Sequence, residues 1–312
     1  MVKLTRKRFL LAKLETTYGT DPTPTGVANA LEVSALSIKE YFPPVTRPVN
    51  IAGLTPRPSL SGQRYAEVTF TAEMFNVGAL GTAPRMGALF KACDFAEVIS
   101  AGSSVTYSMG SGIINSVTLY VFIDGLQHIV TGCVGDIKFM GAAGKQMLMN
   151  FTFKGLWAAP TDGANPSCTF ETNVDKPPVV LGAGLTYNSS NSLVVKSLEI
   201  DLGNIIAMRE DVSQTYAIKG FYITGKKPVV KLDCEADIIA NIDWRTGLLS
   251  TQQALSMNVG GTSTNKVGVS MPKVNIFDVQ YKDDQGITHT DISGELTDTV
   301  VNNNDALSLV YQ

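Results

Sequence analysis

The side chains able to do chemistry are few and poorly spaced for it. Two histidines, His128 and His289, stand 161 residues apart. No H-E-x-x-H or similar spacing sets two imidazoles on one helix face around zinc. The four cysteines, Cys93, Cys133, Cys168 and Cys234, are 40, 35 and 66 residues apart and include no C-x-x-C pair. They read as reduced, mostly buried thiols rather than a disulfide framework. The run Gly141-Ala142-Ala143-Gly144-Lys145-Gln146 imitates the end of a phosphate-binding loop. However, Gln146 replaces the Ser or Thr that magnesium needs, and Phe139 stands where the first glycine belongs, so a hairpin turn is the better reading. Two matches to the glycosylation pattern, at Asn150 and Asn188, carry no meaning without a secretion signal. No acid–base, nucleophile or metal constellation emerges, so an enzyme is the least expected class and no cofactor is expected.

Composition points elsewhere. The chain has 312 residues, enough for two domains, and 44% are hydrophobic. Charged residues make up 17%, against about 25% in ordinary soluble domains, and mean hydropathy is +0.10. Disorder, which needs low hydrophobicity and high net charge, is excluded. A spanning helix needs about 20 apolar residues in a row, and the uncharged runs here are broken by Gly, Ser, Thr and Asn. The basic start followed by Phe9-Leu10-Leu11-Ala12 imitates a signal peptide, but Lys13 cuts the apolar run. The expectation is a protein made in the cytoplasm, with no membrane partner, whose surface is consumed by contact with other chains. Nucleic-acid recognition is poorly supported: the pI is about 5.5 and no basic stripe is interleaved with aromatics.

The pattern along the chain is β. Period-2 alternation recurs between Gly, Asn, Asp and Ser clusters, as in YAEVTFTAE at Tyr65–Glu73 and in residues 116–122, 148–154, 193–202, 229–234 and 273–281. In YAEVTFTAE, Glu67, Thr69, Thr71 and Glu73 share one face while Val68, Phe70 and Ala72 share the other. Two segments read as helix. Residues 84–95 have Thr82 as an expected N-cap and an apolar face of Met86, Leu89, Phe90 and Cys93; residues 236–249 have Ile238, Ile239, Ile242 and Leu249.

A Pro- and Gly-rich stretch, 159–184, divides the chain into an expected first domain over 1–158 and a second over 185–312. The halves resemble each other. Leu31-Glu32-Val33 matches Leu198-Glu199-Ile200, and Val68-Thr69-Phe70 with Glu73 matches Val230-Lys231-Leu232 with Glu235. A hairpin from Asp136-Ile137-Lys138-Phe139 to Gly144 recurs from Asp278-Val279-Gln280-Tyr281 to Gly286 at an offset of 142. The first half carries an excursion, 41–64, with five prolines that preclude a central strand. Its Val49, Ile51, Leu54 and Leu60 call for burial on something. Residues 1–13 hold five basic residues and no acidic one, and residues 283–312 hold six acidic and no basic ones. Such ends suit head-to-tail stacking of identical units.

The run KRFLLAKLETTYGTDPTPTGVANALEVSAL, residues 7–36, with E-T-x-Y-G-T-D-P-x-P at 15–24, resembles the start of long-tailed phage tail tube proteins, also called major tail proteins. The hairpin at 132–157, with G-x-x-G-x-x-x-F and F-T-F-x-G, is similar to the same family. The resemblance implies a mainly β chain of two tandem tail-tube-like β-sandwich or barrel domains, each with one flanking helix. It implies a structural virion protein that polymerises as stacked, trimeric, pseudo-hexameric rings into a tube conducting DNA non-specifically. Its implied partners are further copies of itself, the tape measure protein, the tail terminator, and distal tail or baseplate proteins. An acidic inner surface is also implied, for which Glu67, Thr69, Thr71, Glu73, Asp233 and Glu235 are candidates, with Lys231 the one cation among them. Ring-to-ring contacts fall to the arm 2–14 (Lys3, Arg6, Lys7, Arg8), the loop 41–64 (Arg47, Ile51, Leu54, Arg57) and the acidic end (Asp291, Glu295). A host- or carbohydrate-binding β-sandwich remains the alternative; it needs exposed aromatic platforms, and the chain has two tryptophans, Trp157 and Trp244.

Overall fold

A computed structural model describes residues 3–4, 6–77, 79–112, 115–171, 178–188, 193–239, 241–244, 252–260 and 265–312. The first half runs β1 (Arg8–Leu14), α1 (Gly26–Asn29), β2 (Ala30–Leu31), β3 (Ser34–Tyr41), β4 (Pro44–Val45), β5 (Leu60–Ser61) and β6 (Tyr65–Glu73). It continues with α2 (Gly87–Ala92), β7 (Phe95–Ser100), β8 (Ser104–Met109), β9 (Val117–Ile123), β10 (Leu126–Ala142), β11 (Leu148–Trp157) and β12 (Thr161–Asp162). The second half runs β13 (Thr186–Tyr187), β14 (Val195–Asp201), β15 (Asn204–Glu210), β16 (Ile218–Lys226) and β17 (Val229–Glu235). It ends with β18 (Gln253–Val259), β19 (Val267–Asp284), β20 (Ile287–Leu296) and β21 (Ser308–Tyr311). The protein is mainly β and of sandwich type, and among the described residues the strands far outweigh the two short helices α1 and α2.

Alternation predicted β6 to the residue: Ala66, Val68, Phe70 and Ala72 are buried and their neighbours half-buried. The expected first helix is shorter than 84–95, spanning Gly87–Ala92 without a side-chain cap. Its apolar face holds, since Met86, Leu89, Phe90 and Cys93 are all buried. It stops because Asp94 turns into the left-handed region, at φ 63°, and Phe95 opens β7. Of the second expected helix, residues 240 and 245–249 lie outside the described residues; Ile238 and Ile239 are exposed, and Ile242 and Trp244 buried.

Both halves repeat one order of antiparallel pairing. In the first it is β3–β6–β11–β10–β9–β1. In the second it is β14–β17–β20–β19–β18–β13. Ser37 faces Thr69 as Glu199 faces Lys231. The counterpart of Leu198-Glu199-Ile200 is therefore Leu36-Ser37-Ile38 and not Leu31-Glu32-Val33, whose Leu31 lies in β2 against β1. The offset of 142 holds along the first arm of the hairpin and falls to 141 on the returning arm, Ile137 being opposite Phe151 as Val279 is opposite Ile292. The excursion 41–64 also has a counterpart, because the hairpin β15–β16 occupies the same place between β14 and β17. Among the described residues, the hairpin β7–β8 after α2, like α1 and β2 between β1 and β3, has no counterpart in the second half.

Two long strands, β10 and β19, shift register in mid-course. Along one edge, β10 pairs first with β9 and then, from Lys138 to Ala142, with β14. This joins the halves into one eight-stranded sheet, β3–β6–β11–β10–β14–β17–β20–β19. No pairing among the described residues returns from β19 to β3, so the sheet is open. The halves are joined again by β21, which lies between β19 and β8. One buried cluster, from Leu10 through Phe70, Phe90 and Phe151 to Ile292 and Tyr311, runs through both halves.

Candidate assembly surfaces

The E-T-x-Y-G-T-D-P run holds the chain to itself. Buried Glu15 accepts hydrogen bonds from Gly19 N at 2.6 Å, Ser116 Oγ at 2.6 Å, Thr118 Oγ1 at 2.6 Å and Gly132 N at 2.7 Å. The Tyr18 hydroxyl donates to Gly132 O at 2.9 Å and accepts from Phe221 N at 2.7 Å, fastening the hairpin β15–β16 to the first half. Burial pushes the Tyr18 phenol well above its ordinary range, so it stays a donor. Gly132 sits at φ 60°, and a Cβ there would lie 2.9 Å from the Tyr18 ring, so this position admits glycine alone.

The basic arm is likewise engaged within the chain. Lys3 Nζ donates to Asp124 O at 2.9 Å, Lys7 lies 3.6 Å from the Asp124 carboxylate, and Arg8 donates to Leu36 O at 3.2 Å. Residues 8–14 are themselves the strand β1, paired with β9; Arg6 is exposed in the turn before it. The excursion is different. Arg47, Ile51, Leu54 and Arg57 are all exposed, Leu54 completely. The base of the loop is anchored where Arg64 lies over the rings of Phe42, Trp157 and Tyr216.

Along the polar face of the eight-stranded sheet, alternation sets Glu67, Thr69, Thr71 and Glu73 of β6 and Lys231, Asp233 and Glu235 of β17 on one side. The structure brings Asp291 and Glu295 to this same face: Asp291 is opposite Asp233, and Glu295 opposite Val229. The sequence had placed these two with the chain end, because it carries no sign of which strand they face. The lysines here are mostly tied down. Lys138 is 2.6 Å from Asp201, Lys231 3.8 Å from Glu199, and Lys282 2.9 and 2.6 Å from Asp233 and Asp291. Lys39 and Lys154 flank Glu67 in the register. The Asp233 carboxyl, though partly desolvated, is held below the usual carboxylate range by bonds from His289 and Lys282. A concavity of about 1030 Å³ opens along this face between β10 and β19.

One surface carried no signal from a single strand. The β10 edge that β14 covers buries Ile137 and Phe139 completely. Their counterparts at the offset of 142 are Val279, half-buried, and Tyr281, 60% exposed. Phe277, at the shift of register in β19, is exposed beside them. Together with Ile239, Ile242 and Trp244 these side chains line a cavity of about 320 Å³. No strand among the described residues pairs with this edge of β19 from Asp278 to Asp284. The outer edge of β3, at the far end of the sheet, is unpaired as well. The match between Phe139 and Tyr281 in the repeat was the available clue: a residue that is core in one half has no cover in the other.

No group of three or more His, Cys, Asp or Glu side chains among the described residues could hold a metal ion. No helix among them is long and apolar enough to cross a membrane. None of the curated proteins matches the chain. The profile of the phage tail tube protein family matches residues 5–300, nearly the whole length. That span takes in both repeated sheets and the edges they leave open, and the chain belongs to the phage tail tube protein family.

Proposed function

We propose that copies of this structural tail protein join edge to edge into rings of three chains, six like units to a ring, and that stacked rings form the tube through which DNA passes. The observation that carries the reading is the uncovered edge of β19. Its counterpart on β10 is covered by β14, and among the described residues the repeat counterpart of β14 is β3, unpaired at the opposite end of the same sheet. A β3 from the next chain laid on β19 repeats the internal junction and leaves the same two edges open again. Such a head-to-tail contact closes into a ring where the rotation allows. It also removes the exposed edges that otherwise invite aggregation. Completing the burial of half-buried Val279 contributes part of the roughly 1.5–3 kcal/mol of a fully buried aliphatic side chain, which favours the covered state.

The polar sheet face supports an assignment to the lumen. Its carboxylates Glu67, Glu73, Asp233, Glu235, Asp291 and Glu295 outnumber its cations, and paired lysines offer little to a passing phosphate. Asp291 and Glu295 thereby move from ring-to-ring contact to the wall. Stacking falls to the loop 41–64, with Arg47, Ile51, Leu54 and Arg57, since the arm's Lys3, Lys7 and Arg8 already have partners. The tape measure protein inside, and terminator and distal tail proteins at the ends, are the partners this reading requires. Synthesis in the host cytoplasm belongs to the same reading.

At the internal junction Leu202 N donates to Ile137 O at 3.1 Å and Ala143 N to Lys196 O at 2.9 Å. The odd-numbered residues of β10 therefore turn their backbone toward β14, and Tyr281 and Asp283 turn theirs outward. Asp283→Pro removes an outward N–H and no bond to β20, a change edge strands tolerate. It is expected to give monomers that melt like the wild type and form no rings or tubes by electron microscopy. Normal tubes from Asp283→Pro would refute the edge reading.

A further inference from the structure

The internal junction and the open edges carry opposite charges. Inside the chain the long strand brings the cation, Lys138 of β10 against Asp201 of β14. On the open edge the long strand lacks that cation and leaves its acid free: Asp136, the counterpart of Asp278, is half-buried and accepts from Asn204 N at 2.9 Å. Gln280 stands in β19 where Lys138 stands in β10, and the exposed Asp278 is two residues before it on the same face. On β3, Lys39 stands where Asp201 stands in β14, because Lys39 faces Glu67 as Asp201 faces Val229. Carried across from the internal junction, the register sets Lys39 of one copy opposite Gln280 of the next, with Asp278 on one diagonal and Lys282, already paired with Asp233 and Asp291, on the other. Directly opposite and diagonal cross-strand neighbours are both within reach of a lysine.

Each group is poised for such a contact. Gln280 Nε2 donates to Asp278 Oδ2 at 3.2 Å, which holds the carboxylate and places the amide carbonyl beside it as a second acceptor. Asp278 makes no ion pair among the described residues. Lys39 is exposed, and its ammonium lies over the Tyr41 ring, 4.4 Å from the centroid. It too makes no ion pair among the described residues, whereas Lys138, Lys231 and Lys282 on the same sheet face all do.

Resting on the ring reading above, we propose that Lys39 determines the specificity of the junction between copies, received by Asp278 and Gln280 of the neighbouring chain. The reversed polarity has a second effect. A neighbour's β3 that strayed into the place of β14 would set Lys39 against Lys138, and like charges directly opposite destabilise a sheet. A stray β14 on β19 would leave Asp201 facing Gln280 and the acid Asp278 without the lysine, Lys138, that it pairs with in its own place. Each junction thus accepts its own strand and refuses the other, which is how attraction and repulsion together give discrimination.

The test compares tube assembly of the full chain at low salt, by light scattering and electron microscopy, for Lys39→Asp, Asp278→Lys and the two combined. Both side chains are exposed, so thermal melting of each monomer should match the wild type, and Lys39→Gln serves as a milder variant. Each single reversal is expected to raise the critical concentration about tenfold or more, Lys39→Gln less, and the combined reversal to restore assembly to within about threefold. Single variants that assemble like the wild type would overturn the proposal. So would a combined variant as defective as the singles. Asp283→Pro separates the two readings: if it blocks assembly while the charge variants assemble normally, the edge stands and the charge lock falls.

Discussion

A carboxylate closed off from water must have its lone pairs filled, and Glu15 fills them with two backbone amides and two hydroxyls. Removing it strands four donors at once, two of them on β9 side chains or beside them. Unsatisfied buried donors cost about 1–3 kcal/mol each before any relaxation. Glu15→Ala is therefore expected to destabilise the monomer by about 3 kcal/mol or more, read from chemical denaturation. A loss of under about 1 kcal/mol would mean water replaces the carboxylate there. The motif around Glu15 was conspicuous in the sequence, but its role was not. Neither Ser116 nor Gly132 is near it along the chain, and a buried acid cannot be told from a surface one by type alone.

At the scale of elements, what the sequence made legible followed the period of the backbone. Residues 65–73 alternate because one face is buried, and that is the whole of their structure. The apolar face of α2 was legible for the same reason, though its length was not: Asp94 ends it through a backbone conformation that residue type only weakly signals. The excursion 41–64 read correctly as a segment without a central strand; it holds only the two-residue strands β4 and β5, paired with each other. Its counterpart, β15–β16, went unseen because a hairpin pinned by Tyr18 and by the Lys226–Asp94 ion pair, at 2.8 Å, shares no composition with a proline-rich loop. The two short strands at the loop's base, β4 and β5, contact little else, so deleting residues 46–58 should leave the melting temperature within about 3 °C of the wild type. The same deletion should abolish stacked tubes under electron microscopy; tubes of normal length would remove the loop from the stacking contact.

The whole molecule departs most from two beads on a string. Phe139 is buried only because β14 arrives from the second half, and Tyr107 and Phe90 of the first half meet the ring of Tyr311 near the chain's end. A fragment ending at residue 171 loses both covers. It is expected to be insoluble or to lack fixed packing, shown by a weak near-ultraviolet circular dichroism signal and dye binding to exposed apolar surface. A soluble fragment with native-like dispersion in its nuclear magnetic resonance spectrum would show that the first half needs neither. The division at 159–184 was plain in composition, but a composition shift marks where the chain crosses and says nothing of what is buried together afterwards.

The covalent tie across β10 and β14 has a consequence for the arithmetic of association. Every molecule that joins a ring gives up translational and rotational freedom, a cost on the order of 4–15 kcal/mol at standard concentration. A ring with six sheet junctions built from single units meets that cost for six separate bodies. In the proposed ring of three chains, half of the junctions would form during folding, as intramolecular contacts with a high effective concentration. Closure of that proposed ring would need only three bodies to find one another, so each remaining contact could be individually weak and the ring still close at low subunit concentration.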